Sequence, residues 1–443
     1  MFECKLVRSK TQTAFGPLCL LGGYLTEEGL LEPLSGVEIA QKSVKHSPQQ
    51  KLTDALVGIL SGCKALYETN VRVRPDAPLQ RAFGRGRCAD QSTIQRTLNA
   101  FTRENVSQLR EAVEAIQARH CRVFSHDYFA AGGGMLILEV DLTGLKASKS
   151  SEGSTKGYFS GERNATGRQL VRVSARNYGE LIFEKLYPGN TLSLEVLKGT
   201  LKEVERILGS GRASRERTLL RLDGGFGTDE NVEWVCQRGY HFVIKGYGGS
   251  RAGKLAKSVP EGGFREGPTK GQRLAVPEEG AAPRYSRQTK TVLRRWSDRK
   301  GKLYTDYLVS TFTGLSAWQI ATLYDGRAGM EADIKGDKRG LGLEKRRKKS
   351  FNAQEALVLL CQLAHNLLVC FERHFLAETK AEGLGMERLV REVMAMPAEV
   401  RIGRRGKRVR LRLPYLHPWA GAVAEGVAGR FPRHGWPTIW REN

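Results

Sequence analysis

The chain has 443 residues, 40% of them hydrophobic, which leaves room for two or three domains and a large core. Its formal net charge of +24 points to a polyanionic partner, DNA or RNA, rather than a small metabolite, although a ribosomal or merely adhesive protein would share it. Eight cysteines, at 4, 19, 63, 88, 121, 236, 361 and 370, form no Cys-x-x-Cys pair and no zinc-binding spacing, which excludes a structural zinc module and suggests free thiols in a reducing cytosol.

Met1-Phe-Glu-Cys-Lys5 lacks the basic stretch and long apolar run of a signal peptide, so a soluble cytoplasmic protein is expected. Residues 1–35 read as a short strand-containing arm, with turn signals at Phe15-Gly-Pro17 and Gly22-Gly23. Residues 36–125 read as a helical domain. Helical apolar spacing runs over 52–67, a short helix covers 77–83, a turn falls at 84–88, and further helices cover 90–101 and 103–119. Helix, glycine-containing turn, then a polar helix carrying Gln91, Ser92, Gln95 and Arg96 is a helix-turn-helix pattern. Amide and guanidinium groups of Gln91, Gln95 and Arg96 suit adenine and guanine edges, so a DNA-binding domain is expected here. A plain helical bundle would leave the same trace.

From 133 the texture changes. Strands are predicted over 135–141, 170–174 and 181–186, a helix over 194–208, a strand over 219–223, a helix from Thr228 and a strand over 241–245. That order fits an α/β fold, a ribonuclease-H-like catalytic domain with a mixed sheet and flanking helices. Lys156 and Arg163, in the Gly-rich link between the first two strands, either touch DNA or lie in a solvated loop. Residues 247–312 are rich in Gly, Pro and basic side chains and read as a β-rich insertion with strands near 289–296 and 303–312. One helix is then predicted over 315–338, with Trp318 in its core. A basic run follows: Lys338, Arg339, Lys345, Arg346, Arg347, Lys348 and Lys349. The uncharged stretch 356–371 is shorter than a membrane span of about 20 residues and holds Gln362, His365 and Asn366, so 352–376 reads as a buried core helix. The catalytic domain is thus expected over 133–246 and 313–376. Residues 377–443 form a basic C-terminal region whose ribbon, 401–413, is expected to be a hairpin turning near Gly403 to Gly406.

Three carboxylates stand out. Asp141 closes the apolar run Met135-Leu-Ile-Leu-Glu-Val140, Asp223 closes Thr218-Leu-Leu-Arg-Leu222, and Glu331 lies in the helix after the insertion. Two strand-end carboxylates and a helical one can hold two hard divalent cations around a phosphate. Tyr324, Arg327, Glu331 and Lys338 are spaced by three, four and seven residues. On one continuous helix, at about 100° per residue, they fall within roughly 60° of one another. An ion-pair stripe between Arg327 and Glu331 is the simpler meaning of that spacing. Asp229, Asp325, Asp333 and Asp337 read as caps or surface charges.

The order Tyr-x-x-Arg-x-x-x-Glu-x-x-x-x-x-x-Lys, standing here as Tyr324, Arg327, Glu331 and Lys338, is similar to the signature of bacterial insertion-sequence transposases of the DDE superfamily. Asp141-Leu-Thr-Gly144 and Asp223-Gly-Gly-Phe226 resemble the first and second aspartate motifs of DDE transposase group 1. The resemblance spans roughly residues 40–375. It implies a nucleoid-associated enzyme that cleaves and joins DNA strands at the ends of a mobile element by two-metal phosphodiester transfer. Asp141 would bridge two Mg²⁺ ions, with Mn²⁺ as a substitute; Asp223 would hold one and Glu331 the other. Tyr324, Arg327 and Lys338 would hold phosphates beside the cut, and Arg346 and Arg347 would add backbone contacts. Trp296, among Arg294, Arg295 and Arg299, would receive a flipped base, or simply pack. The implied partners are double-stranded DNA, as terminal inverted repeats and as target, and a second copy of the chain on that DNA, with no membrane. A ribonuclease-H-like nuclease without strand joining, or a catalytically retired DNA-binding regulator, would share much of this sequence.

Overall fold

The computed structural model describes residues 9–42, 45–130, 134–159, 162–260, 262–403 and 409–430. The chain divides into two units: one comprises 1–121, 150–152 and 333–443, the other 122–149 and 153–332.

The first unit begins with β1 (Gln12–Thr13) and the helices α1 (Gly16–Glu27), α2 (Pro48–Leu60), α3 (Ala77–Ala82), α4 (Gln91–Asn99) and α5 (Arg103–His120). Ser47 and Gln50 form a capping box on α2, as Thr102 and Asn105 do on α5, and Asp90 caps α4 through the Ser92 N–H. The expected helices are therefore present, except that the one expected over 52–67 is α2, which ends at Leu60. The expected arm is not simply strand: it contains the 12-residue helix α1. Leu18, Cys19, Leu21 and Leu25 bury one side of that helix, and Pro17 fits its first turn. Gly22 and Gly23, expected as a turn, lie inside it. Gly22 is small because Phe83 packs against it; a Cβ there would meet the ring at 2.7 Å.

The second unit is one large mixed sheet with its helices. In chain order it holds β2 (Leu136–Lys146), β3 (Thr155–Phe159), β4 (Glu162–Ala175), β5 (Glu180–Pro188), α6 (Ser193–Leu208), α7 (Arg212–Arg215), β6 (Thr218–Leu222), α8 (Asp229–Arg238), β7 (His241–Lys245), α9 (Gly249–Lys257), β8 (Arg265–Glu266), β9 (Arg273–Ala275), β10 (Lys290–Ser297), β11 (Leu303–Ser310) and α10 (Ala317–Asp325). β5, β4 and β2 pair antiparallel in that order, and β2, β6 and β7 run parallel. The expected insertion is not a separate β module. β11 pairs antiparallel with β7, Ser310 opposite Val243, and β10, β9 and β8 follow outward, so it extends the central sheet to ten strands. The helix α9 within it was not visible in the sequence pattern. Lys156 is exposed on β3, and the side chain of Arg163 lies outside the described residues.

The chain closes with α11 (Ala328–Gly340), α12 (Phe351–Phe375), α13 (Met386–Arg388), β12 (Ala398–Ile402), β13 (Val409–Arg412) and α14 (Ala420–Arg430). α12 is long and apolar enough to cross a membrane, but it is a core helix as expected, buried along its length in the first unit against α2, α4, α5 and α14. It falls with the N-terminal helices, not with the sheet-containing unit to which the sequence pattern gave it. Asp337 is no surface charge: it is fully buried, and its carboxyl lies 2.9 Å from Nδ1 of His365 on α12. The basic ribbon forms the β12–β13 hairpin, with Glu399 opposite Arg412, and β1 adds a third strand. Residues 404–408, where its turn was expected, lie outside the described residues.

Candidate active site

β2 and β6 lie side by side with Glu139 opposite Arg221. Alternation along each strand puts Ile137, Glu139 and Asp141 on the same face as Leu219, Arg221 and Asp223, the last one residue past the end of β6. Leu138, Val140, Leu220 and Leu222 fill the opposite face and are buried. α10 covers the first face, where Ile320, Ala321 and Tyr324 join a core cluster with Leu219 and Val243. Asp141 is not at a strand end, as expected. β2 continues to Lys146 on its pairing with β4, and Asp141 stands level with the point where β6 stops.

The helix expected over 315–338 is two helices, α10 and α11, with a turn at Gly326 and Arg327. The Arg327 N–H donates to the Tyr324 carbonyl at 2.9 Å. Arg221 causes the break. Its Nη1 donates to the Leu323 carbonyl at 3.1 Å, at the C-terminal end of α10, and its guanidinium lies so close to Gly326 that a Cβ has no room. Arg176 presses on Gly329 in the same way. Tyr324, Arg327, Glu331 and Lys338 therefore do not share one helix. Tyr324 is in the last turn of α10, Arg327 is in the connection, and Glu331 is in the first turn of α11.

Arg327 gathers the acids. It is 5% exposed, and its Nη2 donates to Oδ1 of Asp141 at 2.7 Å. Its Nη1 lies 3.7 Å from Oε1 of Glu331, whose side chain is 75% exposed. Burial alone would raise the Asp223 carboxyl. The charge of Arg327 outweighs it, with help from the Gly224 N–H, Lys245 and the Tyr324 hydroxyl, and holds Asp223 below the usual carboxylate range. The Tyr324 hydroxyl donates to Oδ1 of Asp223 at 3.3 Å, and burial followed by that carboxylate's charge pushes the phenol up. Arg327 Nε has no hydrogen-bond partner among the described residues.

A second layer of charge supports this one. Glu139 and Arg221 form a buried ion pair one pleat below Asp141 and Asp223. Arg294 of β10 holds Asp306 at 2.9 and 2.8 Å and Asp325 at 3.1 Å, and its guanidinium lies 4.5 Å from the Tyr324 ring centre. Glu139, Arg176, Arg221 and Arg294 were not singled out from the sequence. Glu139 and Arg221 had one legible signal, charged residues inside otherwise apolar strands, two positions before each aspartate.

Three carboxylates offer the hard oxygen donors that divalent cations prefer, and they already surround one positive group, so the donor set fits such an ion. Among the described residues no three His, Cys, Asp or Glu side chains are grouped to hold a metal; Arg327 lies against two of the three acids, Asp141 and Glu331.

A family model described as transposase DDE domain group 1 matches residues 34–431. The chain belongs to that transposase family. Its members generally use divalent metal ions. No curated protein matches the chain. Among solved structures, a piggyBac transposase synaptic complex with hairpin DNA is similar at 12% identity, over 87% of this chain and 81% of that one, with a TM-score of 0.46.

The other residues expected to meet DNA in this transposase are placed as follows. Lys338 is half-buried on α11, in the part that belongs to the first unit. The basic run after it alternates. Lys345, Arg347 and Lys349 are exposed, whereas Arg346 is buried with its guanidinium on the Leu341 and Cys63 carbonyls, and Lys348 is buried on Gln95. A single phosphate-facing run including Arg346 is therefore not what forms; backbone carbonyls in the first unit take up its donors. Gln95 is engaged at both ends of its amide, by Lys348 and by Asn99 at 2.6 Å, Gln91 is half-buried, and Arg96 is exposed. Trp296 is half-buried and stacked on Tyr304, ring centres 6.0 Å apart. Trp318, expected in the core, is exposed on α10.

Proposed function

We propose that the chain is a DNA transposase that cleaves and joins strands at the ends of a mobile element, with Asp141, Asp223 and Glu331 as its catalytic carboxylates. The observation that carries this reading is Arg327. It touches Asp141, lies within ion-pair distance of Glu331 and acts on Asp223, so acids 82 and 108 residues apart in sequence come to one guanidinium. The strand order β5, β4, β2, β6, β7, antiparallel then parallel, supports the ribonuclease-H-like assignment of the catalytic domain.

The three acids would hold two Mg²⁺ or Mn²⁺ ions, which, when bound, supply an activated oxygen nucleophile and stabilise the leaving oxygen. The chain's own groups do the positioning. Arg327 holds the Asp141 carboxylate through Nη2 and lies near Glu331 through Nη1, and so fixes the acids relative to one another. Tyr324 orients Asp223 through its hydroxyl, and Glu139 with Arg221 fixes the end of α10 against the sheet. Double-stranded DNA is the substrate, and two element ends joined in one reaction call for two copies of the chain on DNA.

The test uses duplexes cut from the inverted repeats that flank the gene. One carries a pre-cut end with a free 3′-hydroxyl, and product is read as strands joined to a target duplex. Joining in Mg²⁺ that is abolished by Asp141→Ala, Asp223→Ala and Glu331→Ala, each with duplex binding retained, is expected. Cleavage without joining would leave a nuclease. Binding without either, in wild type, would leave a retired regulator.

A further inference from the structure

The first unit carries an open cleft of about 340 Å³ whose lining includes Lys42, Lys45, Lys51, Arg74, Arg87 and Arg96. Against these six cations the lining holds one carboxylate, Asp90. That carboxylate is already committed: it pairs with Arg74 at 2.9 Å, accepts from Asn70 at 3.1 Å and caps α4 through the Ser92 N–H at 2.9 Å. The excess of positive charge in the cleft is therefore not neutralised from within its wall.

Lys51 makes the point sharpest. It sits on α2 and is only 6% exposed. Its ammonium donates to Oε1 of Gln41 at 3.1 Å, and the same oxygen accepts from the Thr97 hydroxyl at 2.6 Å. Both partners are neutral. Asp54, three residues on, is taken by Arg85 at 2.9 and 3.1 Å and by the Ala89 N–H at 2.7 Å. No carboxylate among the described residues lies within ion-pair distance of Lys51. A covered ammonium without a counter-charge lowers stability, and like charges around it add to the cost. Burial first, then Arg96, pulls its pKa below the ordinary lysine value.

An anion entering from solvent would relieve both effects. A solvated basic face would not need a covered lysine at its floor. A site for a small metabolite would show a polar wall of mixed sign. The cleft instead spreads single-sign charge over α2, α4, the segment before α2 and the segments between the two helices, which suits a chain of evenly spaced negative charges. We propose that it is a phosphodiester site, in which Lys51 and Arg96 hold backbone phosphates of duplex DNA and the remaining cations add sequence-independent attraction. Arg96, which by residue type suits a base edge, is here one of six cations lining the cleft, and in this proposal it takes a phosphate instead. The site does not depend on the acids being catalytic.

The experiment measures affinity of the full-length chain for a random-sequence duplex across a salt series, without divalent metal, for wild type, Lys51→Gln, Lys51→Arg and Arg96→Gln. Each Gln variant is expected to reduce the log–log salt slope by about 0.9 for each phosphate it no longer neutralises, and Lys51→Arg to keep it. Lys51→Gln is expected to keep or raise the thermal midpoint, because it removes an uncompensated charge. Slopes unchanged in both Gln variants would overturn the proposal and leave a solvated basic face. A lower midpoint with an unchanged slope would make Lys51 structural only, which also overturns it. Arg96 is exposed, so Arg96→Gln decides the matter if Lys51→Gln does not fold. Pyrophosphate and inorganic phosphate at matched ionic strength form the competing arms. Protection by these with no change in duplex slope would assign the cleft to free phosphate and overturn the backbone reading. No cleavage is scored, so failure here and failure of the catalytic assignment are separately visible.

Discussion

Arg327 sets its Nη2 2.7 Å from Oδ1 of Asp141, from a connection between two helices rather than from a helix face. The guanidinium thereby serves as the resident counter-cation of the acid site. Replacing it with Ala leaves Asp141 and Asp223 without their shared counter-charge, and stability should fall by about 3 kcal/mol at most, since Asp141 is partly exposed. Added Mn²⁺ should then raise the thermal midpoint of Arg327→Ala more than that of wild type. Equal shifts would show that Arg327 and the cation do not compete for the same carboxylates. Arg327→Lys keeps the charge without the fork and should cut strand cleavage substantially while the fold survives.

Asp223 titrates below the usual carboxylate range because, against burial, Arg327 and its other partners favour the charged form. A depressed carboxyl stabilises the fold above its unfolded pKa, and that stability is lost as pH falls through the folded value. The stability gap between wild type and Asp223→Asn in EDTA should therefore be fully present at neutral pH. It should close as pH drops through and below the ordinary range near about 4. Denaturant melts at a series of pH values measure it. A gap independent of pH would mean the interaction with Arg327 is not what holds the aspartate.

Glu139 and Arg221 pair with each other one pleat below the aspartates, and Arg221 pins the end of α10. Arg221→Met should lower the joining rate by roughly tenfold or more while duplex affinity stays near wild type, a displacement of about 1 Å at the acids being enough for a large loss. Glu139→Gln should cost less, because Arg221 still reaches the Leu323 carbonyl. A drop in affinity equal to the drop in rate would argue for general unfolding instead.

Burial and the nearby Arg346 push Lys348 down to about 8. The unfolded lysine binds its proton more tightly, so stability should rise with pH from about 8 toward the ordinary lysine value near 10.4. Lys348→Met should flatten that rise and gain stability at pH 7. Thermal melts of the two proteins between pH 7 and 10 check it.

Arg346 and Arg347 should separate cleanly. Arg346→Ala removes a buried guanidinium that satisfies two backbone carbonyls and should destabilise the first unit by about 1–3 kcal/mol. Arg347→Ala, at an exposed position, should leave stability alone and reduce the salt slope of duplex binding if that side chain meets a phosphate.

Much of this was legible in sequence because the signals were periodic or chemical. Apolar runs marked β2 and β6, alternation marked β4, apolar spacing marked α2, capping chemistry at Thr228 marked α8, and Asp141 and Asp223 announced themselves at the ends of apolar runs. What escaped notice depended on long-range packing. At the break between α10 and α11, Arg221, more than 100 residues earlier, takes the Leu323 carbonyl and lies against Gly326, and Arg176 lies against Gly329. The glycines were visible; the arginines that lie against them were not. The inward turn of Arg346 and Lys348 likewise reflects carbonyl and amide partners supplied by residues about 250 and more positions away, Cys63 and Gln95. α1 was hidden because a Gly-Gly pair reads as a turn unless an aromatic ring, here Phe83, is known to lie against it.

The continuation of the sheet through β11 onto β7 has a practical side. Read along the chain, residues 247–312 look like a cassette that could be cut out or exchanged. Removal would leave the parallel strand β7 with an unpaired row of N–H and C=O groups, an open edge of the kind that recruits other strands and aggregates. It would also delete Arg294, and with it the grip on Asp325 and the cover over Tyr324. An exchange that spares the sheet is thus limited to the outer strands and connecting loops, with β10 and β11 kept together with β7.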